Sequence, residues 1–168
     1  MSRGKKLYCT FLDFSKAFDT ITRSSLWVKL QKSNISGKGF RIIHSLYDNV
    51  KSCIKNNDKF SSFFRCDIGV WQGENLYPFL FAIYLNDLEQ FFVENNVKDL
   101  ENIRNMCSKI FNIFVKLFSL LYADDTIILS ETEADMQYAL AIFERHCHHW
   151  KLKVNLQKTK VIIFCKRK

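Results

Sequence analysis

A chain of 168 residues, 48% of them apolar, is long enough for one packed domain and too apolar for a disordered tail. Its formal net charge of +8, with basic runs at Arg3-Gly4-Lys5-Lys6 and Lys166-Arg167-Lys168, suits a polyanionic partner, although such runs are also ordinary solvated faces. No apolar run approaches a membrane span and no signal-peptide core opens the chain, so no membrane association is expected.

Leu7 to Phe14 is β-rich and predicts a strand carrying Asp13 near its end. A carboxylate in an apolar run needs a partner, water or a cation. Its structural alternative is a strand-end acid that caps the next turn. Ser24 to Lys32 predicts a short helix with Leu26, Trp27 and Leu30 on one side. Beyond Gly37 and Gly39, the residues Phe40, Ile43, Leu46, Tyr47 and Val50 recur at helical spacing and predict a second helix. Ser52 to Lys55 and Phe60 to Cys66 flank Asn56-Asn57-Asp58, a hairpin turn. The loop Gly69-Val70-Trp71-Gln72-Gly73 follows.

Pro78 fits the first turn of a long helix expected to run to about Val93, with Asp87 the odd polar member of its apolar face. Glu94 to Asn105 is polar and reads as an exposed excursion. The apolar run after it is placed as a strand at Phe118 to Tyr122. Tyr122-Ala123-Asp124-Asp125 then separates two short apolar runs and reads as a hairpin with a polar tip. Adjacent carboxylates repel, and a divalent cation is the usual device that stabilises them. Hard oxygen ligands suit magnesium or manganese, and a two-metal site serves phosphoryl transfer. A solvated Asx-type turn is the structural alternative.

Ser130 with Glu133 reads as a capping box opening a helix whose Met136, Ala139, Leu140, Phe143, Cys147 and Trp150 form a core stripe. His146-Cys147-His148-His149 lacks zinc-ligand spacing and closes that helix, where imidazoles complement the dipole. Lys153 to Asn155 and Thr159 to Phe164 are expected as closing strands. Cys9, Cys53, Cys66, Cys107, Cys147 and Cys165 include no C-x-x-C pair, so reduced thiols and an intracellular compartment are expected. With one Pro and 5 Gly there is no linker, and residues 1–168 are read as a single domain. The element order predicts an α+β fold, an antiparallel sheet with helices packed on one face.

Four segments in order carry a resemblance. They are Phe11-Leu12-Asp13-Phe14-Ser15-Lys16-Ala17-Phe18-Asp19; Gly69-Val70-Trp71-Gln72-Gly73 with Leu76-Tyr77-Pro78; Tyr122-Ala123-Asp124-Asp125; and Trp150-Lys151-Leu152-Lys153-Val154-Asn155 with Lys158-Thr159-Lys160. Together they resemble the catalytic motifs of the reverse transcriptase family, and more narrowly its non-LTR (LINE-type) retrotransposon branch. The resemblance implies a polymerase palm that joins dNTPs to a DNA primer on an RNA template. It implies that Asp13 and Asp124 ligate two Mg2+ or Mn2+ ions, with Asp125 assisting. Phe18 would pack under the sugar and exclude a ribose 2′ hydroxyl, with a plain core Phe as the alternative. The backbone from Phe14 to Ala17 would lie beside the triphosphate. Gln72 and Gly73 would line the nascent base pair, the alternative being an ordinary tight turn. Lys158 would be a general acid for the leaving pyrophosphate, its alternative a solvated lysine. A ribonucleoprotein in nucleus or cytoplasm is implied.

Two rival readings are an RNA-dependent RNA polymerase palm, against which Tyr-Ala-Asp-Asp and the bulky Phe18 argue, and a non-catalytic nucleic-acid-binding remnant. The family usually carries a basic residue at Trp71, a small or acidic residue followed by Pro at Glu74-Asn75, and Ser at Tyr77. These departures read as drift. The chain is expected to be a palm with fingers and thumb largely absent, and the sequence leaves its activity in isolation open.

Overall fold

The computed structural model describes residues 6–71, 75–98, 100, 119–122 and 125–165, with 119–122 and 125 as backbone only. In chain order the elements are β1 (Lys6–Asp13), α1 (Arg23–Lys32), α2 (Gly37–Tyr47), β2 (Lys51–Ser52), β3 (Lys55–Asn56), β4 (Lys59–Phe60), β5 (Phe64–Arg65), α3 (Tyr77–Leu85), α4 (Leu88–Glu94), β6 (Ser119–Tyr122), β7 (Asp125–Ser130), α5 (Glu133–Trp150) and β8 (Lys160–Cys165). They divide into two compact units, one of Met1–Ser15 with Leu85–Lys168, the other of Lys16–Tyr84.

The first unit is built on a four-stranded antiparallel sheet in the order β6-β7-β1-β8. Strand periodicity sorts its residues onto two faces. Tyr8, Thr10 and Leu12 of β1 alternate with Cys9, Phe11 and Asp13. On the first face Thr10 Oγ1 donates to Met136 Sδ of α5 at 3.1 Å, and the Phe14 ring, just beyond the strand, lies 6.0 Å from Phe143. On the other face Cys9 and Leu129 gather with Leu7, Leu100 and Ile127. β8 is the edge strand beside β1, and its Val161, Ile162, Ile163 and Phe164 are all exposed.

α5 follows the expected stripe with three changes. Ile142 and His146 are buried, and Leu140 is only half-buried. Its N-cap is Thr132, which accepts from Asp135 N–H at 3.1 Å and donates to Asp135 Oδ2 at 2.6 Å. The expected cap at Ser130 is therefore corrected: Ser130 completes β7, where it pairs with Tyr8. The long helix expected from Pro78 to Val93 is broken at Asn86-Asp87. Asn and Asp are poor helix-interior residues. The Asp87 carboxylate makes no cap bond and meets His146 Nε2 at 2.8 Å instead. The expected strand at 153–155 reduces to one bridge, Val154 to Phe14.

The second unit packs α1, α2 and α3 beside a hairpin. Ile21, Leu26, Leu30, Leu80, Phe81 and Tyr84 are fully buried in it. α2 ends at Tyr47, and its Ile42 and Leu46 are exposed. Arg23 is buried with no acidic partner among the described residues: its guanidinium donates to the carbonyls of Gly69 (2.9 Å), Tyr47 (3.0 Å), Cys66 (2.6 Å) and Ile68 (3.4 Å). Those bonds satisfy the buried cation and fix the chain that leads into the Gly69 loop. The predicted hairpin forms, with Asn57 in the left-handed region (φ 52°) at its two-residue turn.

Candidate catalytic carboxylate site

Asp13 is the last residue of β1, and its side chain is 26% exposed. Register sets it directly opposite Asp125, the first residue of β7. Asp125 also pairs with Tyr122, so β6 and β7 form a hairpin with a two-residue connection. Like charges directly opposite on neighbouring strands destabilise a sheet, so this placement calls for a cation. The described residues supply one: Lys158 Nζ lies 3.7 Å from Asp13 Oδ2.

Asn155 delivers that lysine. Its N–H donates to the Asp13 carbonyl at 2.7 Å, which ties the closing segment to the end of β1. Its side-chain Oδ1 accepts from the N–H groups of Gln157 (3.2 Å) and Lys158 (3.3 Å), an Asx turn that starts the path to β8. Sequence reasoning assigned Asn155 no role, although an Asn three residues before the candidate lysine is a readable turn signal. Arg23 was missed too, because a lone arginine gives no sign that four carbonyls will surround it.

Asp124, Gln72, Gly73 and Glu74 lie outside the described residues. Among the described residues no group of three His, Cys, Asp or Glu side chains is placed to hold a metal ion. Asp13 and Asp125 occupy opposed positions of the ladder, and aspartate is the kind of hard oxygen donor that magnesium or manganese takes. The Phe14 side chain is core, so a role beside a triphosphate falls to backbone. Ser15 N–H is already given to the Lys153 carbonyl at 2.7 Å. Asp19 is exposed and closes a turn through its N–H, which donates to the Lys16 carbonyl at 3.0 Å.

In the second unit Phe18 is buried, its ring edge-on to Tyr77 (centroids 4.6 Å) and to Phe81 (5.0 Å). Its carbonyl accepts from Val70 N–H at 2.8 Å. Gly69 has φ +80°, and a Cβ there would sit 2.9 Å from the Asp19 carbonyl oxygen. Only glycine lets the loop before Gln72 approach so closely. Tyr77, where the family usually has Ser, is thus packed against the candidate sugar-contact residue, and the Trp71 ring lies tilted against Tyr47 (centroids 5.7 Å).

An antiparallel sheet under helices, with acids at the end of β1 and at the β6–β7 hairpin, is the architecture of a polymerase palm. The chain belongs to the reverse transcriptase (RNA-dependent DNA polymerase) family, whose pattern matches residues 1–166. It is 27% identical over 142 residues to the retrovirus-related Pol polyprotein from type-1 retrotransposable element R2 of Nasonia vitripennis, in agreement with the non-LTR branch read from the motifs. That match covers 83% of this chain, which spans 12% of the polyprotein's length. Apo telomerase of Candida tropicalis, truncated from its C-terminal domain, shares the fold with TM-score 0.66 and 16% identity, over 99% of this chain and 32% of that one. Telomerase of Candida albicans in complex with a TWJ fragment of telomeric RNA gives TM-score 0.65 at 16% identity, over 95% of this chain and 28% of that one.

Proposed function

We propose that this chain is the palm of an RNA-directed DNA polymerase, with Asp13, Asp124 and Asp125 as its metal-binding carboxylates. The observation that carries this reading is the opposition of Asp13 and Asp125 at one end of the sheet, with Lys158 at 3.7 Å from Asp13. Two divalent ions, Mg2+ or Mn2+, would supply the positive charge that activates a primer 3′ hydroxyl and stabilises the leaving oxygen. Asp13 and Asp124 would hold that charge at the sheet end, with Asp125 assisting. Lys158 is counter-ion to Asp13 in the free protein and proton donor to the leaving pyrophosphate during reaction. Asn155 positions Lys158 through its Asx turn. Phe18, held by Tyr77 and Phe81, selects a deoxyribose by bulk. Gln72 and Gly73 line the nascent base pair. RNA template, DNA primer and dNTP are the partners, in a ribonucleoprotein of nucleus or cytoplasm.

Primer extension on an RNA template with magnesium or manganese tests this. Asp13→Asn is expected to abolish extension, and Lys158→Gln to slow it by about 10²–10⁴-fold. Extension by Asp13→Asn at the wild-type rate would remove Asp13 from the catalytic assignment, and no extension by the wild-type chain rejoined to fingers and thumb would leave the non-catalytic nucleic-acid-binding reading. Preference for rNTP over dNTP would favour an RNA polymerase palm.

A further inference from the structure

The hairpin of residues 50–66 leaves aromatic rings in water among cations. Cys66 N–H donates to the Val50 carbonyl, Lys51 pairs with Arg65 and Ser52 with Phe64. Nearer the turn, Lys55 pairs with Phe60 and Asn56 with Lys59, while Ser61 N–H donates to the Ile54 carbonyl at 2.9 Å. Between these two ladders Ser62 and Phe63 stand against Cys53 alone. The second strand therefore carries a bulge, a device that re-aims a side chain. Here Phe63 is 71% exposed, with Phe60 at 65%, Ile54 at 64% and Phe64 at 48%. Lys51, Lys55, Lys59 and Arg65 lie on the same hairpin, against Asp58 as its acid. Lys55 Nζ sits 5.7 Å from the Phe60 ring centre, and Arg65 is paired with Asp67.

We propose that this hairpin is a stacking surface for a single-stranded stretch of RNA. The proposal rests on the reading above that the chain handles an RNA template. Exposed rings gain from covering, and unpaired bases offer flat faces to cover them. Lysines beside the rings match the phosphates between those bases. A duplex hides its base faces, and a protein partner would favour a patch poorer in lysine.

Fluorescence anisotropy of the full chain with a labelled oligouridylate tests this. Phe60→Ala with Phe63→Ala is expected to weaken single-strand binding about tenfold or more, with binding to an RNA duplex unchanged. Lys55→Gln with Lys59→Gln is expected to lower the slope of log affinity against log salt by about 1.4, at roughly 0.7 per single-strand phosphate contact. On the wild-type chain, oligonucleotides bearing 4-thiouridine are expected to photo-crosslink to the peptide that holds Phe60 and Phe63. No oligouridylate binding by the wild type, wild-type affinity in the aromatic variant, equal losses on duplex, or crosslinks confined to other peptides would each overturn the proposal. So would an aromatic variant that changes only self-association in sedimentation. Asp13→Asn separates the two readings: it should bind oligouridylate as the wild type does while failing in extension. Wild-type protein that binds through the hairpin, with no primer extension by the chain rejoined to fingers and thumb, removes the polymerase reading alone.

Discussion

Phe18 is held from two sides, by Tyr77 edge-on at 4.6 Å and by Phe81 at 5.0 Å. The family's usual Ser would leave one of those sides open, so Tyr77 stiffens the ring that the proposed mechanism uses to measure the sugar. Phe18→Ala is expected to raise rNTP relative to dNTP incorporation by about tenfold or more, because discrimination rests on shape. Tyr77→Ser should move the ratio in the same direction by less. Single-nucleotide incorporation with matched dNTP and rNTP reads both; an unchanged ratio in Phe18→Ala would return that residue to plain core. Asp13 was legible because an acid at the end of an apolar strand is costly anywhere else. Arg23 was not, because its work is done on backbone carbonyls 24 to 46 residues away; Asn155 shows only its local Asx turn in the sequence, not the distant Asp13 carbonyl that its N–H reaches.

The elements show where periodicity stops being informative. The apolar run through α3 and α4 forms helix, yet Phe79 of its expected face is exposed, Asn86-Asp87 interrupts it, and Asp87 finds His146 on α5, 59 residues away. A pattern of spacing cannot name that partner. The α5 cap was misread by two residues because Ser130 and Thr132 are both good caps, and the β1 ladder claims Ser130. Thr132→Ala is expected to cost about 1 kcal/mol in urea unfolding. The Thr132 hydroxyl, and then Lys98 at 2.9 Å, hold the Asp135 carboxyl below its ordinary 3.8. A depressed carboxyl stabilises the fold above its unfolded value and stops doing so as pH falls through the folded one. Stability should therefore drop at acid pH, below about 4. Asp135→Asn should flatten that part of the profile, which acid titration of the unfolding midpoint would read.

Across the whole chain, core and candidate site should answer differently to substitution. Phe143 is buried against Phe14, and Phe143→Ala should cost about 3–5 kcal/mol through the cavity it leaves. Asp13→Asn breaks only a long ion pair whose lysine is 69% exposed, so its thermal unfolding in chelator should stay within about 1 kcal/mol of the wild type. A large loss in Asp13→Asn would make that acid structural. Thiols map the same core. Burial first, and Glu144 second, push the Cys147 thiol up to about 12, and burial raises Cys9. Cys165 is exposed. Iodoacetamide near pH 8 should mark Cys165 in the native chain and reach Cys147 only on unfolding, as mass spectrometry would record. The antiparallel sheet under helices was legible from the order of apolar runs. The hairpin bulge was not, since one added residue leaves composition and turn unchanged.

β8 has a second consequence. Among the described residues no strand pairs with its outer side, which offers N–H and C=O groups along a strand whose Val161, Ile162, Ile163 and Phe164 are exposed, with Lys160 its one charged residue. Such an edge is a template on which another extended chain can grow by backbone pairing, the first step toward amyloid-like stacking. The sequence places Lys166-Arg167-Lys168 directly after it, charges that act as gatekeepers by repelling a second copy. Polyanions or high salt, which mute those charges, are therefore the conditions under which this edge should pair with a second copy, as turbidity would record.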